Sequence, residues 1–78
     1  MPTVLRSHGY QFYFYSHEPN EPPHVHVDKG GASAKFWLMP VALAKNMGYT
    51  AVELRQIHRI AEAHQTQLLE KWNEYFDQ

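Results

Sequence analysis

The side-chain period changes once along this chain, and that change limits the possible folds more than any other feature. In Tyr10-Gln11-Phe12-Tyr13-Phe14-Tyr15 and His24-Val25-His26-Val27-Asp28, residues of contrasting character alternate. Alternation of this kind belongs to a strand with two different faces. From Leu54 onward, Ile57, Ala61, His64, Leu68, Trp72 and Tyr75 recur at steps of three and four, flanked by Ile60, Leu69 and Phe76. That spacing makes the apolar face of a helix. Strands followed by helices give an α+β architecture: a small antiparallel sheet of three to five strands, with one or two C-terminal helices packed on one face.

The strand half is punctuated by turn residues. Thr3 to Arg6 is a short β-favourable run, and Ser7-His8-Gly9 reads as a turn. Tyr10 to Tyr15 follows as a strand rich in β-favouring aromatics. Ser16 to Pro23 contains three prolines and two glutamates, cannot supply regular ladder bonds, and reads as a loop. His24 to Asp28 is the next strand. Lys29-Gly30-Gly31 is a hairpin turn, Ala32 to Leu38 the return strand, and Val41 to Ala44, after Met39-Pro40, a last edge strand. Thr50-Ala51-Val52-Glu53 matches a capping box and marks the start of the helical part. One unbroken helix from Thr50 to Gln78 would run roughly 40 Å, longer than a domain of this size is wide. A break is therefore expected near residues 64–66, with Thr66 capping a second helix. The 78 residues form one domain, with 1–45 mainly β and 50–77 helical.

Composition narrows the function classes. The apolar fraction of 44% and aromatic fraction of 14% support a packed core rather than disorder. A core this small gains security from a second subunit or a partner. The absence of Cys rules out disulfides and thiolate metal sites and fits a reducing cytoplasm. No apolar run reaches the length of a membrane span, and Met1-Pro2-Thr3-Val4-Leu5-Arg6 is no signal peptide. The net charge of −1 gives no global attraction to nucleic acid, and no helix-turn-helix with a basic recognition helix is present, so direct DNA binding is not expected. Arg55, Arg59 and Lys71 read as a solvated helix face rather than a nucleic-acid stripe.

The alternation assigns faces. Phe12, Phe14, Val25, Val27, Phe36 and Leu38 turn toward the helices. Gln11, Tyr13, Tyr15, His24, His26, Asp28, Lys35 and Trp37 turn to the other face, which is polar, aromatic and partly basic. Three chemistries are open to it. His24 and His26 with Asp28 are candidate metal ligands, with His17 or Glu18 as further donors, although structural zinc normally takes four ligands, usually with Cys. No cofactor is expected, and a divalent metal at that set is the alternative. His24 and His26 are also a candidate general base and acid for metal-free RNA cleavage, with Lys35 or Arg6 stabilising the phosphorane and Tyr13 or Tyr15 positioning phosphate or stacking a base. Tyr13, Tyr15, His24, His26 and Trp37 are finally a candidate protein-binding face, since Tyr and Trp are favoured interface anchors. The same face would serve a homodimer. His58 and His64 are too far apart around the helix for a ligand pair, and Gly30-Gly31 lacks the spacing of a phosphate loop.

The segments Met1-Pro2-Thr3-Val4, Phe12-Tyr13-Phe14-Tyr15 and Glu18-Pro19-Asn20-Glu21-Pro22-Pro23-His24-Val25-His26-Val27, with the ending Glu62 to Trp72, resemble a bacterial family catalogued as domain of unknown function 4160. The resemblance covers essentially the whole chain, and Pro22-Pro23-His24-Val25-His26 is its most specific element. Members of that family are small proteins, often encoded beside a second short protein, and the pair is frequently classed as toxin–antitoxin-like. The resemblance implies a bacterial cytoplasmic protein with a small protein partner from an adjacent gene. It transfers no catalytic residue. At Ala63-His64-Gln65-Thr66-Gln67 this chain departs from the charged residues usual in the family's last helix. The reading favoured by the sequence is a component of a toxin–antitoxin-like two-protein module acting through protein–protein contact. A His-dependent ribonuclease or phosphodiesterase toxin and a metal-binding domain are the alternatives.

Overall fold

Three tight turns fold the strand half of the chain onto itself. His8 and Gly9 both take positive φ, 54° and 84°, the twist that suits a two-residue hairpin. They join β1 (Thr3–Ser7) to β2 (Tyr10–Tyr13). Gly30, at φ 60°, turns β3 (His24–Lys29) into β4 (Ala32–Leu38), and Met39-Pro40 turns β4 into β5 (Val41–Met47). A computed structural model supplies this description for residues 3–15 and 20–76. The expected loop of Ser16 to Pro23 lies partly outside the described residues.

The strands pair antiparallel in chain order, β1-β2-β3-β4-β5, so every neighbour in the sheet is a neighbour in sequence. β2 is shorter than its aromatic run suggested. Pairing stops at Tyr13 opposite His26, and Phe14 leaves the ladder to pack against Trp72, Tyr75 and Phe76. β5 is longer than expected and reaches Met47, because Ser33, Ala34 and Lys35 offer it partners. Lys35 faces Lys45 while Phe36 faces Leu43, so Ala44 is an extra residue that bulges the strand.

Thr50 begins α1 (Ala51–Ala63) with the expected capping box. Its hydroxyl accepts from the Glu53 N–H at 3.2 Å, and its own N–H donates to Glu53 Oε1 at 2.9 Å. The break falls at His64, and α2 (Gln65–Phe76) follows at once. Thr66 is not the cap. The Leu68 N–H already donates to the His64 carbonyl, and Gln65 Nε2 donates to the Leu38 carbonyl at 2.7 Å, so the second helix is fixed two residues earlier. Phe12, Phe14, Val25, Val27, Phe36 and Leu38 are all buried against Ile57, Ala61, Leu68 and Trp72. The helices cover one face of the sheet only, as the change of period required.

Tyr49 ties the last strand to the sheet centre. Its N–H donates to Asn46 Oδ1, its carbonyl accepts from Asn46 Nδ2, and its buried hydroxyl donates to the Val27 carbonyl at 2.9 Å. Burial, reinforced by the charge of Asp28, pushes its phenol up to about 12.

Candidate functional site

On the face away from the helices, the register aligns side chains into rows across the sheet. Thr3, Tyr13, His26, Lys35 and Lys45 stand opposite one another from β1 to β5. Gln11, Asp28, Ser33 and Met47 form a second row, and His24, Trp37 and Ala42 a third. Directly opposed residues share a face and have Cβ atoms about 5 Å apart. The rows therefore bring Tyr13, His26, Lys35, Asp28 and Trp37 together, as the alternation predicted.

Much of this face is packed rather than bare. The Tyr13 ring is buried, stacks on His26 with centroids 5.6 Å apart, and meets Tyr15 edge-on at 5.5 Å. Its hydroxyl donates to Asp28 Oδ1 at 3.0 Å. Burial, followed by the hydrogen bonds to Tyr15 and Asp28, holds the Tyr13 phenol well above the ordinary tyrosine range. Tyr15 remains 41% exposed and lies edge-on over His26 at 4.3 Å. Lys35 lies over the Trp37 ring with Nζ 4.7 Å from its centroid, and pairs with Glu21.

His24 departs from its expected setting. Alternation alone puts it on the open face, yet it is 1% exposed. It is the first residue of β3, at the rim of the sheet, where Trp72 of α2 reaches its ring with centroids 5.0 Å apart. Trp37 and His26 approach from the other sides at 5.7 and 5.2 Å. Its Nδ1–H donates to the Pro22 carbonyl at 2.9 Å, which orients the ring. His26 is half-buried, so the two imidazoles occupy different environments although they are adjacent.

Among the described residues, no three His, Asp or Glu side chains converge as a metal site would need. His17 and Glu18, the further donors considered from the sequence, lie outside the described residues. Arg6, considered as a phosphate contact, is opposite Gln11 on the β1–β2 pair, at the far edge from Lys45.

Two recesses flank β5. On the open face, Tyr15, His26, Ser33, Lys35, Lys45 and Met47 surround a cavity of about 240 Å³. On the helix side, Phe36, Leu43 and Leu54 with Arg55, His58, Arg59 and Glu62 surround one of about 370 Å³. Lys45, Met47 and Leu43 were not singled out by the sequence reading, which ended the last strand at Ala44. Strict alternation from Val41 and Leu43 would have turned Lys45 and Met47 toward the helices; the bulge at Ala44 is what brings them to the open face. Arg55 and Arg59, read as an ordinary solvated face, stand at the edge of the helix-side recess. Lys71 lies elsewhere, beside Thr3, Glu74 and Tyr75.

Among the described residues no helix is long and apolar enough to cross a membrane. A family model described as a domain of unknown function (DUF4160) matches residues 9–73. No curated protein and no solved structure matches the chain.

Proposed function

This chain belongs to the DUF4160 family of domains of unknown function, and from that premise we propose that it works by binding a second protein through the helix-free face of its sheet. The partner in this reading is the small product of an adjacent gene, and the two form a toxin–antitoxin-like module of the bacterial cytoplasm. One observation carries the proposal. Both helices cover the same face of the sheet, and the opposite face offers an aromatic and basic recess whose rim residues Tyr15 and Met47 are 41% and 57% exposed. A tyrosine held edge-on against His26 presents a large contact area at low entropic cost, which suits an interface anchor.

The alternatives have less support. Acid–base cleavage of RNA by two imidazoles needs both at the phosphate. Only His26 lines the recess, while His24 is enclosed by Trp72 and Trp37 and bonded to Pro22. A metal reading needs further donors beside His24, His26 and Asp28, and Asp28 is engaged by the Tyr13 hydroxyl.

Co-expression of the untagged chain with the tagged product of the adjacent gene tests the proposal. The expected result is a stable complex, weakened at least about tenfold by Tyr15→Ala, or about 1.4 kcal/mol of binding energy. Absence of a complex, or full binding by a folded Tyr15→Ala variant, overturns it.

A further inference from the structure

We infer that the free edge of β5 is where the partner docks, and that the docking segment is an extended strand alternating acidic and apolar side chains. The inference deepens the proposed function and rests on it. β5 is the last strand of the sheet, and among the described residues no strand lies on its outer side. Residues Leu43 to Met47 are all exposed. An edge of this kind presents alternate N–H and C=O groups for pairing, and added strands draw affinity from such bonds and specificity from alternate side chains.

The two recesses define what the alternate side chains must be. Successive residues of an added strand point to opposite faces, so one set enters the open-face recess and the other the helix-side recess. The open-face recess offers the ammonium group of Lys45, with Lys35 beside it already paired to Glu21, and the hydroxyls of Ser33 and Tyr15, a set rich in donors that suits carboxylates. The helix-side recess has the apolar side chains of Phe36, Leu43 and Leu54, with Leu43 45% exposed, and suits an apolar side chain. Arg55 and Arg59 stand beside it, as does Glu62, whose carboxylate lies 3.2 Å from His58 Nε2.

Charge points to an acidic partner rather than a second copy. Among the described residues, Lys45, Arg55 and Arg59 make no ion pair, although the chain as a whole has a net charge of −1. If β5 paired antiparallel with β5 of a second copy around its centre, Lys45 would lie opposite or diagonal to its own counterpart. Like charges in those positions destabilise the pairing. The bulge at Ala44 disturbs regular self-pairing further. An acidic strand meets no like charge at Lys45.

The test titrates the full chain with a fluorescein-labelled ten-residue peptide alternating Glu and Val, read by anisotropy at near-physiological salt. Hydrogen–deuterium exchange is then measured with peptide in excess. The expected result is saturable binding with new amide protection in residues 41–47. Binding should weaken at least tenfold for the same peptide with alternate amides N-methylated, at least tenfold for the Lys45→Glu, Arg59→Glu double variant, and be absent for an alternating Lys and Val peptide. Both substitutions are at exposed positions, and circular dichroism melts confirm that the variant folds. No peptide binding overturns the inference. So does equal binding of the methylated peptide, which would mean charge attraction of the kind an RNA also provides, or protection confined to residues outside 41–47. The same double variant tested against the adjacent-gene product separates the two proposals. An undiminished complex overturns docking at β5 and leaves the partner reading standing, whereas no complex with the wild-type chain overturns the partner reading itself.

Discussion

Replacing His24 with alanine removes a ring that is 1% exposed and touches Trp72, Trp37 and His26. Loss of the imidazole leaves a void on the order of 60 Å³, which at about 24 cal/mol per Å³ costs about 1.5 kcal/mol. The hydrogen bond from Nδ1 to the Pro22 carbonyl contributes about 1 kcal/mol more. The sum is about 2.5 kcal/mol. For a domain of this length, each kcal/mol moves Tm by about 4–8 °C, so His24→Ala should melt about 10–20 °C below the wild type. His24→Asn retains a side-chain N–H near the Pro22 carbonyl and should recover about 1 kcal/mol of the loss. Urea and thermal unfolding followed by circular dichroism measure all three proteins. If His24→Ala is within about 0.5 kcal/mol of the wild type, the ring is not part of the core and the reasoning fails. If the variant keeps its stability but abolishes a growth phenotype, His24 has a chemical role that its burial argues against.

Two further outcomes follow from the fold. Tyr49 is held protonated up to about 12, and Tyr10 and Tyr13 are also raised, chiefly by burial. Their unfolded phenols ionise near pH 10, so the folded state binds more protons than the unfolded one above that value. Their contribution to stability is complete below about pH 10 and is lost as pH rises from there through about 12. The urea midpoint should fall across that window, with tyrosinate absorbance from these residues appearing only as the circular dichroism signal is lost. Full ionisation of all five tyrosines in the folded protein would refute this. Gly48 sits at φ 105°, and a Cβ there would lie 3.2 Å from the Ala32 Cβ. Gly48→Ala should cost about 1–3 kcal/mol, measured by urea unfolding, while Gly31→Ala, with nothing within 4 Å, is the control that should change little. Equal stability of the two variants would show that the backbone at residue 48 adapts freely.

The fold was legible because its elements are specified locally. The capping box at Thr50, the turns at Gly9 and Gly30 and the period change before Leu54 each act within a few residues, and each appears where the sequence puts it. What was not legible depends on contacts between distant segments. Phe14 has the composition of a strand residue, yet it leaves β2 for a pocket formed by Trp72, Tyr75 and Phe76. β5 runs on to Met47 because of its pairing with β4, which outweighs the helix preference of Ala and Leu. Alternation assigned His24 a face correctly but could not show that Trp72, many residues later, would close over it. The candidate surface was legible in the same measure: Tyr15, His26 and Lys35 fall where the period places them, while the part of the recess formed by β5 does not follow from the His-centred motif.

The chain order of the elements also has a consequence for synthesis. All four strand pairings join consecutive segments, so the sheet can assemble hairpin by hairpin as it emerges from the ribosome. Its apolar face, with Phe12, Val25, Val27 and Phe36, must then wait for Ile57, Leu68 and Trp72, which are made after every strand. During that interval the nascent chain is a half-covered sheet, the kind of species that holdase chaperones bind and that associates when left unattended. A stop codon or proteolytic cut between α1 and α2 would make that state permanent, so clearance of truncated chains should depend on the final helix more than on any residue of the recess.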